Sequence, residues 1–260
     1  MLDIPATAAP AVWGGAIEQR DYAPEVSVSE IRCNVNLLRK GLWLVAICVI
    51  ALGVLREIAV PLIGLDTPLQ DLRHFSFDAE HSLPVWYESL VMAIASVLLV
   101  VSALLSRHRD RENTKHWIVL AVIFILFSVD EAIAVHEVTI TPLREAFGFS
   151  GFLYFSWVVI AAPILVLVGG FFVPFLLRLP SRFGMRFALA GIIFVSGAFG
   201  LELVGGHFVS AEGFASLSYR VTAVTEECLE IIGLTFFVSE LMKLIAMRAR
   251  SLTLRFASSI

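Results

Sequence analysis

Long apolar segments recur along the chain, each about as long as a membrane is thick. A helix needs about 20 apolar residues to cross a hydrocarbon core of roughly 30 Å. Segments of this kind run near residues 41–63, 84–106, 117–139, 152–177, 187–209 and 221–246. Because backbone polar groups within lipid must be satisfied inside the segment itself, these runs predict an all-α bundle of six transmembrane helices.

The composition agrees with a membrane protein. Hydrophobic residues make up 58% of the 260 residues and charged residues 16%, whereas soluble domains carry roughly 25% charged residues. Residues 1–40 lack a basic start followed by a sustained apolar core, which argues against a cleaved signal peptide. We predict a partly disordered cytoplasmic tail at 1–40, a transmembrane domain at 41–246 and a second cytoplasmic tail at 247–260.

The positions of the basic residues predict the orientation. Lysine and arginine concentrate before the first span, between the second and third, between the fourth and fifth, and after the sixth. Loops rich in these residues stay in the cytoplasm. Both termini are therefore predicted to be cytoplasmic.

Acidic residues inside the spans gather in one layer. At 1.5 Å per residue, Asp130 lies about 20 Å and Glu202 about 22 Å from the cytoplasmic ends of their spans. Glu57, Glu88 and the cluster at 226–230 fall in the same outer half, and the inner half has nothing comparable. Few basic side chains accompany these acids. The carboxylates must therefore be protonated, hydrated or bound to a cation.

Three short motifs contain most of these acids. In "DEAIAVHE" (130–137) a regular helix would splay Glu131 and His136 to either side of the face that Asp130 and Glu137 share. We therefore expect either a local distortion of the helix there, or that some of these side chains hold the ligands of the site in place without reaching its centre. "ELVGGH" (202–207) repeats the E-x4-H spacing, and Gly205–Gly206 would let the backbone carry His207 toward Glu202. In "TEECLE" (225–230) Glu226 and Glu230 share one helix face.

Carboxylates mixed with imidazoles suit iron, manganese or zinc. We predict that one such divalent metal is held by Glu131, His136, Glu202, His207, Glu226 and Glu230. Asp130, Glu137 and Glu227 would orient these ligands or act as a catalytic general base. A hydrogen-bonded network of protonated acids and a water-filled conduit are the alternatives. Glu88 lies beside Trp86 and Tyr87, which are typical of the interface, so its place in the site stays open.

The small residues of "GAFGLELVGG" (197–206) predict close packing of the fifth span against its neighbours. At "SVDEAIAVHE", "GAFGLELVGG" and "TEECLEIIG" the chain resembles a widespread bacterial family of polytopic membrane proteins without a known activity. The resemblance covers roughly spans two to six. It implies a shared site at these positions and brings no activity with it.

Two functional hypotheses follow. The first is an enzyme of the bacterial inner membrane whose metal centre faces the periplasm and acts on a lipid or lipid-linked substrate. The second is a non-catalytic protein, either a cation or proton transporter or a structural subunit of a larger complex. We expect membrane lipids as partners and no nucleic acid. Partner subunits, if the second hypothesis holds, are not identified by the sequence.

Overall fold

The computed structural model describes residues 34–63, 68–77, 79, 81–107 and 111–249, and this part of the chain is helical with no strands. A π-helical segment, Ser196–Leu201, joins two helices end to end, and short 3-10 helices lie in other connections. The predicted all-α class is confirmed. The α-helices are α1 (Val35–Ile63), α2 (Leu83–Ser106), α3 (Arg111–Ile133), α4 (Ile140–Phe147), α5 (Val158–Arg178), α6 (Ser181–Val195), α7 (Glu202–Glu212) and α8 (Leu217–Arg248).

Five helices in the described part are long and apolar enough to cross a membrane. They are Val35–Val60, Leu83–Ser106, Asn113–Ile133, Val158–Arg178 and Ser181–Glu212, the last formed by α6, the π segment and α7 together. The predicted count of six spans is therefore corrected to five. The chain has the helices of a multi-pass membrane protein. The prediction that both termini are cytoplasmic needs an even number of crossings, which five spans do not give. Most of the predicted tail 1–40 lies outside the described residues, although α1 begins at Val35.

The helix predicted as the sixth span is α8, and it lies at the centre of the bundle. Charged residues recur along it so closely that every membrane-length stretch contains several of them, which sets it apart from the five candidate spans. Ile231, Val238, Leu241 and Leu244 on this helix are fully shielded, and α8 packs against α1, α2, α6 and α7. Protein rather than lipid surrounds its charged groups, which explains why a simple count of apolar runs failed here.

Two glycines set the distance between α8 and the helix formed by α6 and the π segment. A Cβ on Gly197 would lie 2.7 Å from the carbonyl oxygen of Glu226, and one on Gly233 would lie 2.7 Å from the backbone nitrogen of Phe194. Both contacts are to backbone atoms, which cannot rotate away. The predicted close packing through small residues is confirmed, and it brings this helix against the acidic face of α8.

Gly233→Ala is therefore expected to destabilise the bundle by about 1–3 kcal/mol, because the added methyl overpacks a backbone contact. Gly191→Ala on α6 is the matched control, since nothing lies within 4 Å of a Cβ there. A helical alanine in open space is expected to be neutral or stabilising. Thermal unfolding in detergent, followed by tryptophan fluorescence, measures both. Equal melting temperatures for the two variants would contradict the close approach.

Below the acidic layer, a second ionic cluster joins three helices around Glu240 of α8, which is 2% exposed. Arg186 Nη1 of α6 donates to Glu240 Oε2 at 2.6 Å, and Lys243 donates to the other oxygen. Arg39 of α1 lies 4.0 Å from the same carboxylate and donates to Ser239 Oγ at 2.9 Å. Glu240 is a single acid paired with three cations, so it does not form a second layer of surplus carboxylates.

Candidate functional site

The end of α3 is distorted where the D-E-x4-H-E motif lies. The helix stops at Ile133, Ala134 takes a left-handed conformation with φ +50°, and a 3-10 helix begins at His136. Asp130 fixes this turn, because its Oδ1 accepts from the His136 backbone N–H at 2.9 Å and its Oδ2 lies 2.9 Å from His136 Nδ1. The distortion is the first of the two arrangements that the spacing allowed.

The ring of His136 is oriented by this double contact. Burial lowers the pKa of the His136 imidazole, but the hydrogen bond and the charge of Asp130 outweigh burial, so the pKa is raised above its ordinary value. His136 and Trp157 both line the large cavity, with their ring centres 5.0 Å apart. Trp157 Nε1 in turn donates to Glu202 Oε1 at 2.7 Å. A continuous chain of contacts thus links α3 to α7.

Glu202 is placed by the π segment directly before it. This segment packs on α8 through Gly197, so that the carboxyl groups of Glu202 and Glu226 come within hydrogen-bonding reach of each other. π segments inside α-helices are frequent at functional sites. Sequence reasoning expected the deviation at Gly205–Gly206, which instead lie inside regular α7.

His207 is not brought to the site, and its predicted role as a ligand is not supported by its position. It lies five residues after Glu202 on regular helix, about 140° around the axis. Its exposed imidazole stacks on Phe152 with ring centres 4.7 Å apart. Because α7 does not bend after Glu202, nothing turns this side chain toward the carboxylates.

The other predicted site residues line one cavity of about 790 Å³. Aromatic and aliphatic side chains complete the wall, and Arg144 is the only arginine or lysine among the described lining residues. Its guanidinium lies over the ring of Tyr154 at 4.3 Å. The cavity therefore carries a large excess of acidic groups. The ionisable site residues around it are Asp130, Glu131, His136, Glu137, Glu202, Glu226, Glu227 and Glu230.

Glu88 of α2 joins this cluster, a role that the sequence left open. It is 1% exposed, and it lies close enough to Glu230, Glu227 and Glu131 for their charges to interact. Its Oε1 is buried and has no hydrogen-bond partner in the described part of the chain. A buried carboxylate oxygen without a partner is costly. The neighbouring Trp86 and Tyr87 suggested an interfacial position, and only the packing of α2 on α8 reveals its burial.

Glu57, the remaining acid of the predicted layer, belongs to a different group. Arg56 and Arg220 both donate to its carboxylate, the latter at 3.1 Å, and Ser76 Oγ donates at 3.2 Å. These contacts neutralise Glu57. It is therefore not one of the surplus carboxylates, which come from α2, α3, α7 and α8 and the turn after α3.

The acids share a cavity without forming a finished ligand set. Within the described ranges, no three His, Cys, Asp or Glu side chains are already arranged around one point as metal ligands. The ionisable site residues around the cavity are flexible glutamates, except for Asp130 and His136. The arrangement can attract cations, share protons between neighbouring carboxyl groups such as Glu202 and Glu226, and transfer protons through His136.

Fold and cavity together define a class: a helical multi-pass membrane protein with an acidic cavity enclosed by its helices. Residues 41–244 match a family described as a domain of unknown function, DUF8692, and the chain belongs to that family. The resemblance to a family without known activity is thereby confirmed, although the match does not single out the three motifs. No curated protein and no solved structure matches the chain.

Proposed function

We propose that this protein is a membrane metalloenzyme that holds one or two divalent ions, iron, manganese or zinc, in the acidic cavity. The observation that carries the proposal is the convergence of seven carboxylates on one cavity whose described lining contains a single arginine. Seven negative charges cannot remain together without protons or bound cations. The buried oxygen of Glu88, which has no hydrogen-bond partner in the described part of the chain, is a further acceptor that needs a cation or a proton.

The ligands would come from four helices, α2, α3, α7 and α8, and from the turn after α3. Glu131, Glu202, Glu226 and Glu230, joined by Glu88, would turn their flexible side chains toward the metal. His136 would offer its free ring nitrogen, because Asp130 occupies the other; metal-binding histidines are usually held by a carboxylate in this way. The predicted ligand set is thus kept without His207 and extended by Glu88.

A bound divalent ion polarises substrate oxygens and lowers the pKa of a coordinated water. Glu137 and Glu227 line the same cavity and would accept or return the proton that such chemistry releases. Trp157 would fix the orientation of Glu202 through its 2.7 Å hydrogen bond. This tryptophan was missed by sequence reasoning, because its partner lies 45 residues further along the chain.

A lipid or lipid-linked compound is the proposed substrate. A cavity of about 790 Å³ falls in the range of roughly 300–1,000 Å³ typical of small-molecule sites. Phe77, Phe127 and Phe194 give it apolar wall next to the carboxylates. The helices that enclose it expose apolar side chains on their outer faces. The bacterial inner membrane, and a cavity that faces the periplasm, are proposed from the distribution of basic residues.

The packing of α8 argues against a transporter. The cavity lining on this helix ends at Glu230, and two turns further on Val238, Leu241 and Leu244 are fully shielded. The ion cluster around Glu240 lies on the same stretch. A transport path through the bundle would have to disrupt both these packed apolar residues and the ion cluster.

The other alternative, a structural subunit of a larger complex, predicts that the protein co-purifies with a fixed companion.

Elemental analysis of the wild-type protein, purified in detergent without chelators, tests the proposal. We expect one or two iron, manganese or zinc ions per chain, and the identity of the metal would separate redox from hydrolytic chemistry. Protein that contains no metal, and that takes up none of the three when they are added, would overturn the metalloenzyme and favour a network of protonated acids.

Asp130→Asn is expected to weaken metal binding by roughly 10–100-fold, the usual effect of losing a carboxylate that orients a histidine ligand. Asparagine keeps the size of the side chain but loses the charge that fixes the His136 tautomer. Glu145→Gln, on the exposed face of α4, is the control for charge loss. Competition with a fluorescent chelator measures the affinity. Equal affinity in the two variants would mean that His136 is not a ligand.

A further inference from the structure

A second, smaller cavity adjoins the acidic one and has the opposite charge. It measures about 270 Å³ and is lined by Arg56, Glu57 and Arg220 among apolar side chains. Phe77, Phe214, Tyr219 and Ala223 line both cavities and so form the wall between them. We call the smaller one the arginine cavity.

The charges of the described residues that line the arginine cavity do not cancel. Among these residues two guanidinium groups face one carboxylate, because Arg56 and Arg220 both pair with Glu57. Arg220 Nη2 also donates to the Glu57 carbonyl oxygen at 3.0 Å. The described lining therefore carries one net positive charge, and ionisable residues inside membrane-spanning helices are rare and usually functional.

Arg56 also has a donor to spare. Its Nε–H is buried and has no hydrogen-bond partner in the described part of the chain. The guanidinium group presents its donors in a fixed fork that matches the oxygens of phosphate. A small cavity with a surplus guanidinium charge and an unused N–H is therefore suited to a compact anion.

We propose that the arginine cavity binds the phosphate group of the substrate, so that the substrate class is a phosphoester lipid. This inference rests on the proposed function, since it assigns the reacting end of the same molecule to the acidic cavity next to it. Seven carboxylates would repel a phosphate that no metal holds. The arginine cavity gives that group a favourable position one wall away.

The position of the arginine cavity favours a lipid over a free anion. Arg56 and Glu57 lie on α1, and the side chains around them on that helix, Leu52, Leu55 and Ile58, are 43%, 62% and 54% exposed. Because α1 is long and apolar enough to cross a membrane, these apolar side chains would face lipid there. A phospholipid could lay its acyl chains along α1 with its phosphate at the two arginines.

Native mass spectrometry of the full-length protein in detergent tests the inference with two lipids that differ only in phosphate. We expect dioleoyl phosphatidic acid to bind roughly tenfold or more tightly than dioleoylglycerol, because a charged hydrogen bond to phosphate is lost in the latter. Arg56→Gln and Arg220→Gln should each remove most of this preference. Arg182→Gln, on an exposed position of α6, should retain it.

Glu57→Gln gives a result that mere misfolding cannot imitate. It keeps the size of the side chain, removes the competing carboxylate and frees both arginines, so phosphatidic acid should bind several-fold more tightly than to the wild type. Equal binding of the two lipids to the wild type would overturn the proposal. So would an unchanged preference in both arginine variants, or no gain in Glu57→Gln.

Inorganic phosphate, added alone and followed by calorimetry, separates the two sources of this chemistry. Binding that Arg220→Gln abolishes would show that the cavity takes the phosphate group by itself, and absence of binding beside a clear lipid preference would show that the acyl chains are needed. The metal content of Arg220→Gln should equal that of the wild type. If no metal were found, the result on phosphate binding would therefore still stand. If no phosphate preference were found, the result on metal binding would still stand.

Discussion

Glu226→Ala and Glu202→Ala are each expected to remove the bound metal from the purified protein. The two carboxyl groups approach each other across the contact between α7 and α8, so each would supply a ligand from a different helix. Losing a ligand should weaken binding by more than the roughly 10–100-fold that follows the loss of a ligand's hydrogen-bond partner. Elemental analysis after gel filtration measures the metal retained per chain.

Glu212→Ala is the matched control, because this acid lies on α7 as Glu202 does, but is exposed and outside the cavity. It should retain the wild-type metal content. Folding of all three variants is checked by tryptophan fluorescence and elution volume. Full metal content in folded Glu202→Ala and Glu226→Ala would place the metal elsewhere and would refute the proposed ligand set.

Glu240→Gln is expected to lower the free energy of unfolding by roughly 2–4 kcal/mol, since it removes the carboxylate from a buried ion cluster and leaves its cations facing one another. The partners Arg39, Arg186 and Lys243 are 20–35% exposed, so solvent and lipid headgroups reduce the effect below that of a fully buried cluster. Chemical or thermal unfolding in detergent measures the loss.

Metal content separates this stability effect from the site. Glu240→Gln should bind metal like the wild type, because Glu240 does not line the acidic cavity. Glu212→Gln should leave stability unchanged. If Glu240→Gln were as stable as Glu212→Gln, the three cations would be neutralised by their surroundings rather than by Glu240.

Much of the fold could be predicted because apolar length is a local property. Five runs of apolar residues became five membrane-length helices, since nothing else satisfies a backbone in lipid. The prediction of a sixth span was wrong because α8 is both buried and charged, and the burial of a helix depends on its neighbours. Its acids are surrounded by α2, α6 and α7, which the sequence of α8 alone does not describe.

The site was predictable where one helix supplies it and unpredictable where two segments meet. The distortion at Ala134 followed from the need to turn His136 back over Asp130, six residues away. Glu88 and Trp157 had no such local signal, and Arg39 reaches Ser239 across 200 residues. His207 was misjudged because a pair of glycines was taken as the place of deviation, whereas the helix deviates earlier, at the π segment.

The π segment closes its hydrogen bonds over one residue more than the α-helices on either side of it, so each of its residues turns the chain by less than about 100°. If the same six residues, 196–201, were wound as ordinary α-helix, α7 would rotate by about 100° about its axis. Glu202 would then leave the cavity wall, and His207 would still lie about 120° away from the direction that Glu202 has now. Removal of one residue together with that rewinding would instead leave Glu202 on the same face. The direction of Glu202 is therefore decided by how a six-residue segment before it is wound, and not by the sequence of α7 alone.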